Sequence, residues 1–252
     1  MSRKLKGQHG MTLVEATIIL MVLSLLTAVF APSIADYVND AKDTKVKEDL
    51  GIIGTAIIRT VRDSQVACLV STTPGNGCTL TNRVELLRSD GANPSVDATL
   101  APDFTPPLTT TTTTPINWAG DAQAPTGANL DEMEDQFIKN APLYTGPSGS
   151  YAKGGPGLGL GWRGAYVDSP MGADPWGFRY QSNTVFVNVA NNAAAGTGEG
   201  QQSGGWHHDL IVISAGRNGL IETPFATASG SGAGATVRGG DDVVYIVSGS
   251  TR

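Results

Sequence analysis

The stretch that decides the fold is MTLVEATIILMVLSLLTAVFAPSIADY, residues 11–37. It contains an uncharged run from Ala16 to Ala35, which is long and apolar enough to span a bilayer as a helix. Glu15 stands directly before this run, although a carboxylate costs about 2.5 kcal/mol or more at the bilayer centre and less near the interface. Because a simple anchor gains nothing from an acid at this position, we expect Glu15 to have a function.

The residues before the run are basic, with Arg3, Lys4 and Lys6 inside the first ten positions. This asymmetry of charge predicts an N-terminus that stays in the cytoplasm and a chain that leaves it through the apolar run. A cleaved secretory signal has the same features, and an imperfect small-x-small match lies at 31–35. Gly10 lies before the run instead, and cleavage there would leave the apolar helix on the mature protein.

The helical pattern continues beyond the apolar run to about Asp63, over roughly 80 Å at about 1.5 Å per residue. This length exceeds the thickness of a bilayer, so the pattern divides into a transmembrane part, 11–35, and an outer amphipathic part, 36–64. The outer part carries one apolar stripe at spacings of three and four residues, formed by Val46, Leu50, Ile53, Ile57 and Val61. The stripe predicts that another element packs on it.

The composition of the chain restricts its class. The 252 residues have a net charge of −6, with 16% charged residues and 32 glycines. Basic residues cluster only at the start, so we expect no nucleic-acid partner. Residues 65–161 are rich in Thr, Pro, Gly and Asp, which predicts a loop-rich insertion with one short helix after Asn129.

Cys68 and Cys78 are the two cysteines of the chain, and they flank the turn-forming sequence PGNG at 74–77. An even pair across a turn, outside the cytoplasm, is typical of a disulfide, and we expect these two residues to be oxidised. A metal or redox site is disfavoured because the spacing is not C-x-x-C and no clustered histidine pair accompanies the thiols.

Regular structure returns after residue 161. Three β-branched runs, TVFVNV (184–189), DLIVISAG (209–216) and DVVYIVS (242–248), are separated by glycine-rich loops. They predict an antiparallel sheet within 162–252 that covers the apolar stripe of the helix. The sequence therefore predicts an α+β fold: a long N-terminal helix packed on a small antiparallel β-sheet, with a large irregular insertion between them.

The N-terminal pattern of Gly10, then MTLVE at 11–15, then an apolar helix resembles the class III leader of type IV pilins and type II secretion pseudopilins. Four further matches resemble the major pseudopilins more than motility pilins: GWRGAY at 161–166, DPWGFRY at 174–180, an S-x-G-x-N-G turn at 214–219, and the pair Asp241-Asp242. The matches bracket both ends of the chain and leave its middle unmatched. Met11 stands where phenylalanine is commoner in the family.

The resemblance implies processing and assembly at the N-terminus. In that family a prepilin peptidase cuts after the glycine and methylates the new amine, which here means removal of 1–10 at Gly10 and modification of Met11. Glu15 then corresponds to the family's glutamate, which we expect to set the register of assembly. The implied product is a structural subunit of a pseudopilus that supports protein export. Its partners would be copies of itself, minor pseudopilins and the assembly platform of the bacterial inner membrane, with the C-terminal domain outside the cytoplasm.

The resemblance also implies a calcium ion in the loop between the last strands. Asp241 and Asp242 match the acidic pair of that loop, and Asn218 stands where an aspartate is frequent. Hard oxygen ligands at several points of one loop suit Ca²⁺, and Leu220 to Thr223 could add backbone carbonyls. The alternative interpretation, without a functional role, is that Asp241 and Asp242 are solvated charges at the start of a strand.

Two other functions remain open. One is a type IV pilin of a surface fibre, used in adhesion or motility and decorated by the insertion at 65–161. The other is a membrane-tethered enzyme or binding domain, for which His207, His208 and Asp209 are the candidate cluster. Neighbouring residues of a strand point to opposite faces, so the two histidines are poorly placed to share one ion, and we expect no enzymatic activity.

Overall fold

The computed structural model confirms an α+β chain with a long N-terminal helix. It describes residues 11–64, 69, 84–98, 100, 118, 130–141, 161–187, 209–225 and 238–247. The chain comprises two compact units, Met1–Thr44 and Lys45–Arg252. Gly10, Cys68, Cys78, His207 and His208 lie outside the described residues.

Helix α1 comprises Leu13–Ser64 and includes Pro32 without interruption. The cap at its start is the side chain of Thr12, whose hydroxyl accepts the backbone N–H of Glu15 at 3.2 Å. In the first unit the apolar side chains of α1 are exposed, and an 18-residue window with a mean hydropathy of 2.4 has none of its residues buried. By length and composition this part of the helix can cross a membrane.

In the second unit α1 contributes its apolar stripe to the core, as predicted. Val46, Leu50, Ile53 and Ile57 are fully buried, and Val61 packs against the same cluster. Gly54 allows a close approach, because a Cβ there would lie 2.7 Å from a ring carbon of Tyr245. Burial removes this stripe from water, which is the main source of stability in such a unit.

The strands found among the described residues of the second unit are short. They are β1 Leu86–Arg88, β2 Ser95–Val96, β3 Leu130–Glu132, β4 Gln181–Ser182, β5 Ile211–Ser214, β6 Leu220–Ile221 and β7 Val243–Ile246. Five of them form a sheet in the order β3-β1-β4-β5-β7, while β2 and β6 form a separate parallel pair. Only β3 and β1 are parallel within the larger sheet.

The prediction of a purely antiparallel sheet is wrong, since this sheet is mixed. The C-terminal strands β4, β5 and β7 are antiparallel, but β1 and β3 come from the region predicted to be irregular. Strand β3 is not evident from the sequence because a polar residue stands at its centre. This residue, Asp131, is buried and lies opposite Leu87 of β1. The predicted short helix therefore begins only after β3 and ends at Lys139.

The runs DLIVISAG and DVVYIVS contain strands as predicted, and Val212 lies opposite Tyr245 in their register. The sequence predicts the third run, TVFVNV, as a strand, and in its described part this is wrong: Thr184–Phe186 is a 3₁₀ turn. The cause is Asn183, whose side-chain oxygen accepts the N–H of Ile211 at 2.7 Å and whose amide donates to the carbonyl of Phe225 at 2.8 Å. This side chain takes the place of a backbone ladder partner, and the chain leaves the sheet.

Candidate functional site

Glu15 lies in the first turn of α1, where an acid interacts favourably with the partial positive charge of the helix start. Thr12 and Glu15 have the T-x-x-E spacing of a capping box, and the Thr12 half of that motif is formed. Within the described residues, the carboxylate of Glu15 has no hydrogen bond or ion pair.

The predicted calcium residues are brought together at one end of the sheet. The carboxylate of Asp241 closes the turn after β5, because its Oδ2 accepts the N–H of Arg217 at 2.7 Å and the N–H of Asn218 at 3.0 Å. Asp242 closes the segment after β6 in the same way, since its Oδ2 accepts the N–H of Glu222 at 2.9 Å and of Thr223 at 2.7 Å. In each carboxylate, one oxygen thus accepts hydrogen bonds from two backbone N–H groups.

The second oxygen of each carboxylate, Oδ1, differs in its hydrogen bonding. Among the described residues, Oδ1 of Asp241 and Oδ1 of Asp242 are buried side-chain atoms without a hydrogen-bond partner. Asp242 as a whole is 0% exposed. Burial raises the pKa of Asp242, and the hydrogen bonds from Thr223 and Glu222 offset this only in part. A bound cation beside these oxygens would favour the charged carboxylates.

Asn218 has a different part in the loop from that of the aspartates. Its Oδ1 accepts the N–H of Leu220 at 2.7 Å, and its side-chain amide donates to Glu222 at 3.3 Å. In the absence of another ligand, Asn218 therefore shapes the turn between β5 and β6. Its oxygen retains a second lone pair that could face a cation.

Glycines allow the loop to close around the acids. Gly216 has φ +66°, and a Cβ there would lie 2.9 Å from the carbonyl carbon of Asp241. Gly239 packs against Glu222, whose Cβ would lie 2.5 Å from an added Cβ. Side chains at these positions would fill the space that the loop uses to approach the carboxylates.

Sequence reasoning missed the side chains of Glu222 and Arg238 in this loop. Glu222 faces Gly239 and Gly240, and Arg238 donates to the backbone carbonyl of Asp242. The contact of Glu222 with Gly239 joins segments on either side of the glycine-rich stretch 226–237, so no short window of the sequence contains it. The contact of Arg238 with Asp242 spans only four residues, but no motif in the sequence marks it. In the described ranges no three His, Cys, Asp or Glu side chains are grouped so as to hold a metal ion. A cation here would need backbone carbonyls or water to complete its ligands.

A second buried carboxyl lies away from this loop, in β3. Asp131 is 2% exposed, accepts the side-chain amide of Gln136 at 2.6 Å and accepts the N–H of Glu132 at 2.8 Å. Burial raises the pKa of Asp131 to about 7, against the lowering effect of these hydrogen bonds, and the nearby charges of Asp135 and Glu132 add to the increase. This group titrates near neutral pH.

Asp131 should make the stability of the second unit depend on pH. Its folded-state pKa of about 7 exceeds the ordinary 3.8, so the folded chain binds this proton more tightly than the unfolded chain. The resulting stabilisation is complete below about pH 4 and is lost as the pH rises to about 7. We expect Asp131→Asn to flatten this dependence and to raise the free energy of unfolding above pH 7 by up to about 4 kcal/mol, at about 1.4 kcal/mol per pKa unit.

Thermal unfolding of the full chain in detergent, followed from about pH 4.5 to about pH 8, checks this expectation. The amide of Gln136 can turn so that its oxygen faces the new side-chain amide. Asp168→Asn is the matched control, because Asp168 is an exposed aspartate. If the Asp131 and Asp168 variants kept the same pH dependence as the unmodified chain, Asp131 would not be the titrating group.

In comparisons with family models, curated proteins and solved structures, nothing matches this chain.

Proposed function

We propose that this chain is the structural subunit of a type II secretion pseudopilus, a filament that polymerises through N-terminal helices and supports protein export. One observation carries the proposal: a single helix, Leu13–Ser64, has an exposed apolar first part that follows an acid and a second part buried in a folded core. An apolar helix surface of this kind needs lipid or other copies of itself around it. The buried second part fixes a folded unit to that helix.

The proposal assigns a role to each N-terminal residue. Cleavage after Gly10 by a prepilin peptidase would create an α-amine on Met11, which is a cation near neutral pH. Glu15, one helical turn away, is an anion without a partner in the described residues. In the membrane the amine of a newly added copy and the Glu15 of an earlier copy would neutralise each other, which sets the stagger between helices. Minor pseudopilins and the inner-membrane assembly platform would be the further partners.

Deletion of the gene, with complementation by the unmodified gene, distinguishes this function from a surface pilus. We expect deletion to stop the export of secreted proteins while leaving surface fibres, adhesion and motility unchanged. Loss of surface fibres with normal export would instead identify the chain as a type IV pilin. Unchanged export and unchanged fibres would contradict both filament proposals and favour a tethered enzyme or binding domain.

We further propose that the loop of Asp241 and Asp242 binds calcium. The support is the pair of buried, unpartnered carboxylate oxygens, which the loop holds in place through backbone hydrogen bonds to the other oxygen of each group. Calcium takes six to eight oxygen ligands, so carbonyl oxygens, Asn218 and water would have to supplement the two aspartates. When bound, the ion would tie the turn after β5 to the start of β7.

Calcium should raise the melting temperature of the full chain in detergent. At a concentration about 100 times its Kd, a ligand that binds only the folded state adds about 2.7 kcal/mol. For a unit of this size that corresponds to an increase of about 5 to 10 °C. We expect the double variant Asp241→Asn with Asp242→Asn to lose the increase, because each amide keeps one oxygen for the backbone but removes the charge.

Asp168→Asn is the control for the loss of an exposed aspartate and should keep the full calcium response. Differential scanning fluorimetry with calcium, with magnesium and with a chelator provides the measurement. An equal increase in the melting temperature of the double variant would mean that calcium binds at another site. No increase in the unmodified chain would mean that the loop is complete without a metal.

A further inference from the structure

Trp118 belongs to the loop-rich region 65–161, and its side chain is part of the buried core of the second unit. Its side chain is 1% exposed, and its ring centroid lies 4.9 Å from that of Phe225 in an edge-on arrangement. Its indole N–H donates to the backbone carbonyl of Thr223 at 2.8 Å. A buried tryptophan with its N–H satisfied is a strong anchor, because it combines a large apolar area with a directional bond.

Thr223 joins this anchor to the acidic loop. Its carbonyl accepts the indole N–H of Trp118, its own N–H donates to Asp242 at 2.7 Å, and its hydroxyl accepts the N–H of Gly239 at 3.1 Å. Thr223 is 0% exposed. With all three polar groups engaged, a displacement of Thr223 would disturb the indole contact and the carboxylate contact together.

We propose that Trp118 is a positioning residue for calcium binding: the docked indole holds Thr223 where Asp242 can keep one oxygen on the backbone and turn the other to the cation. The inference rests on the calcium loop of the proposed function. It makes the insertion a participant in that loop, since Trp118 belongs to 65–161. Calcium binding and indole docking then stabilise each other.

The coupling must act in both directions. If docking of Trp118 strengthens calcium binding by some factor, calcium strengthens docking by the same factor. Trp162 offers a matched comparison, because its indole N–H is buried without a hydrogen-bond partner in the described residues and its ring packs on Tyr166 instead. Replacement of Trp162 therefore removes a similar ring without removing a bond to the loop.

Calcium titration of the full chain in detergent, by calorimetry, tests the proposal. We expect Trp118→Phe to weaken calcium binding by about fivefold or more, the lower end of typical coupling between sites. Trp162→Phe should leave the Kd unchanged. The melting temperature without calcium is measured in parallel, because a purely structural role would lower that temperature while leaving the Kd as it was.

Hydroxyl-radical footprinting of the unmodified chain gives a second test that needs no variant. Calcium should slow the oxidation of Trp118 and leave that of Trp162 unchanged. An equal Kd in the two tryptophan variants would overturn the coupling but not the calcium site. So would an oxidation rate of Trp118 that does not change when calcium is added. If the unmodified chain bound no calcium, the site and the coupling would both be rejected.

Discussion

Glu15→Leu should abolish filament assembly while leaving membrane insertion and removal of residues 1–10 intact. The substitution deletes the only charged side chain between residue 11 and Asp36, so the helix becomes more compatible with lipid. Under the proposed function, it would also leave the amine of Met11 on a neighbouring copy without its counter-charge. Removal of one member of a buried ion pair costs about 3 to 5 kcal/mol, which weakens each subunit contact by about a hundredfold or more.

Electron microscopy of filaments and an export assay, with the variant as the sole copy, measure this effect. Intact mass should place the N-terminus at Met11 in both forms. Glu48→Leu makes the same chemical change at an exposed position of α1 in the second unit and should assemble normally. Glu15→Asp, which keeps the charge with a shorter reach, should give an intermediate yield. Abundant filaments of the leucine variant would show that the carboxylate does not set assembly.

Gly216→Ala should strongly destabilise the second unit. Gly216 has φ +66°, a conformation that costs a residue with a Cβ about 1 to 2 kcal/mol. The added Cβ would also press on the backbone of Asp241, which belongs to the hydrogen-bonded loop and cannot move alone. With about 1 to 3 kcal/mol more for the displacement, we expect the melting temperature to fall by about 4 to 20 °C.

Two other glycines separate the causes of this loss. Gly177 has φ +96° but no atom within 4 Å of an added Cβ, so Gly177→Ala reports the backbone strain alone. Gly172 also has open space, without a positive φ, and Gly172→Ala should have little effect. The order of destabilisation should be Gly216, then Gly177, then Gly172. Equal values for Gly216 and Gly177 would mean that the loop yields to the methyl group without loss.

The parts of the fold that the sequence predicts correctly depend on local patterns. The stripe at Val46, Leu50, Ile53 and Ile57 is buried because a helix of fixed pitch brings these positions to one face. Strand β5 and strand β7 are evident from consecutive β-branched residues. The acidic loop is a different case, because Asp241 and Asp242 are chosen from their resemblance to the acidic pair of the major pseudopilins, and calcium binding there stays a prediction.

The parts that were predicted wrongly depend on partners distant in the chain. Strand β3 has an aspartate at its centre, and its pairing with β1 is decided by contacts that no short window contains. The 3₁₀ turn at Thr184–Phe186 follows from the side chain of Asn183, which bonds to segments more than twenty residues away. The same limitation hides Thr223 and Trp118, whose significance lies in long-range hydrogen bonds.

A polar contact joins the second half of α1 to the start of β4, in addition to the apolar stripe. The hydroxyl of Tyr180 donates to the carboxylate of Asp49 at 2.8 Å, and Lys45 pairs with the same carboxylate. Burial and this bond raise the pKa of Tyr180, so the phenol stays a donor. Apolar contacts resist separation but tolerate sliding, whereas a directional bond resists both sliding and rotation. In the filament of the proposed function, a pull along the helix axis would therefore load the Tyr180–Asp49 bond, which would resist shear between helix and sheet.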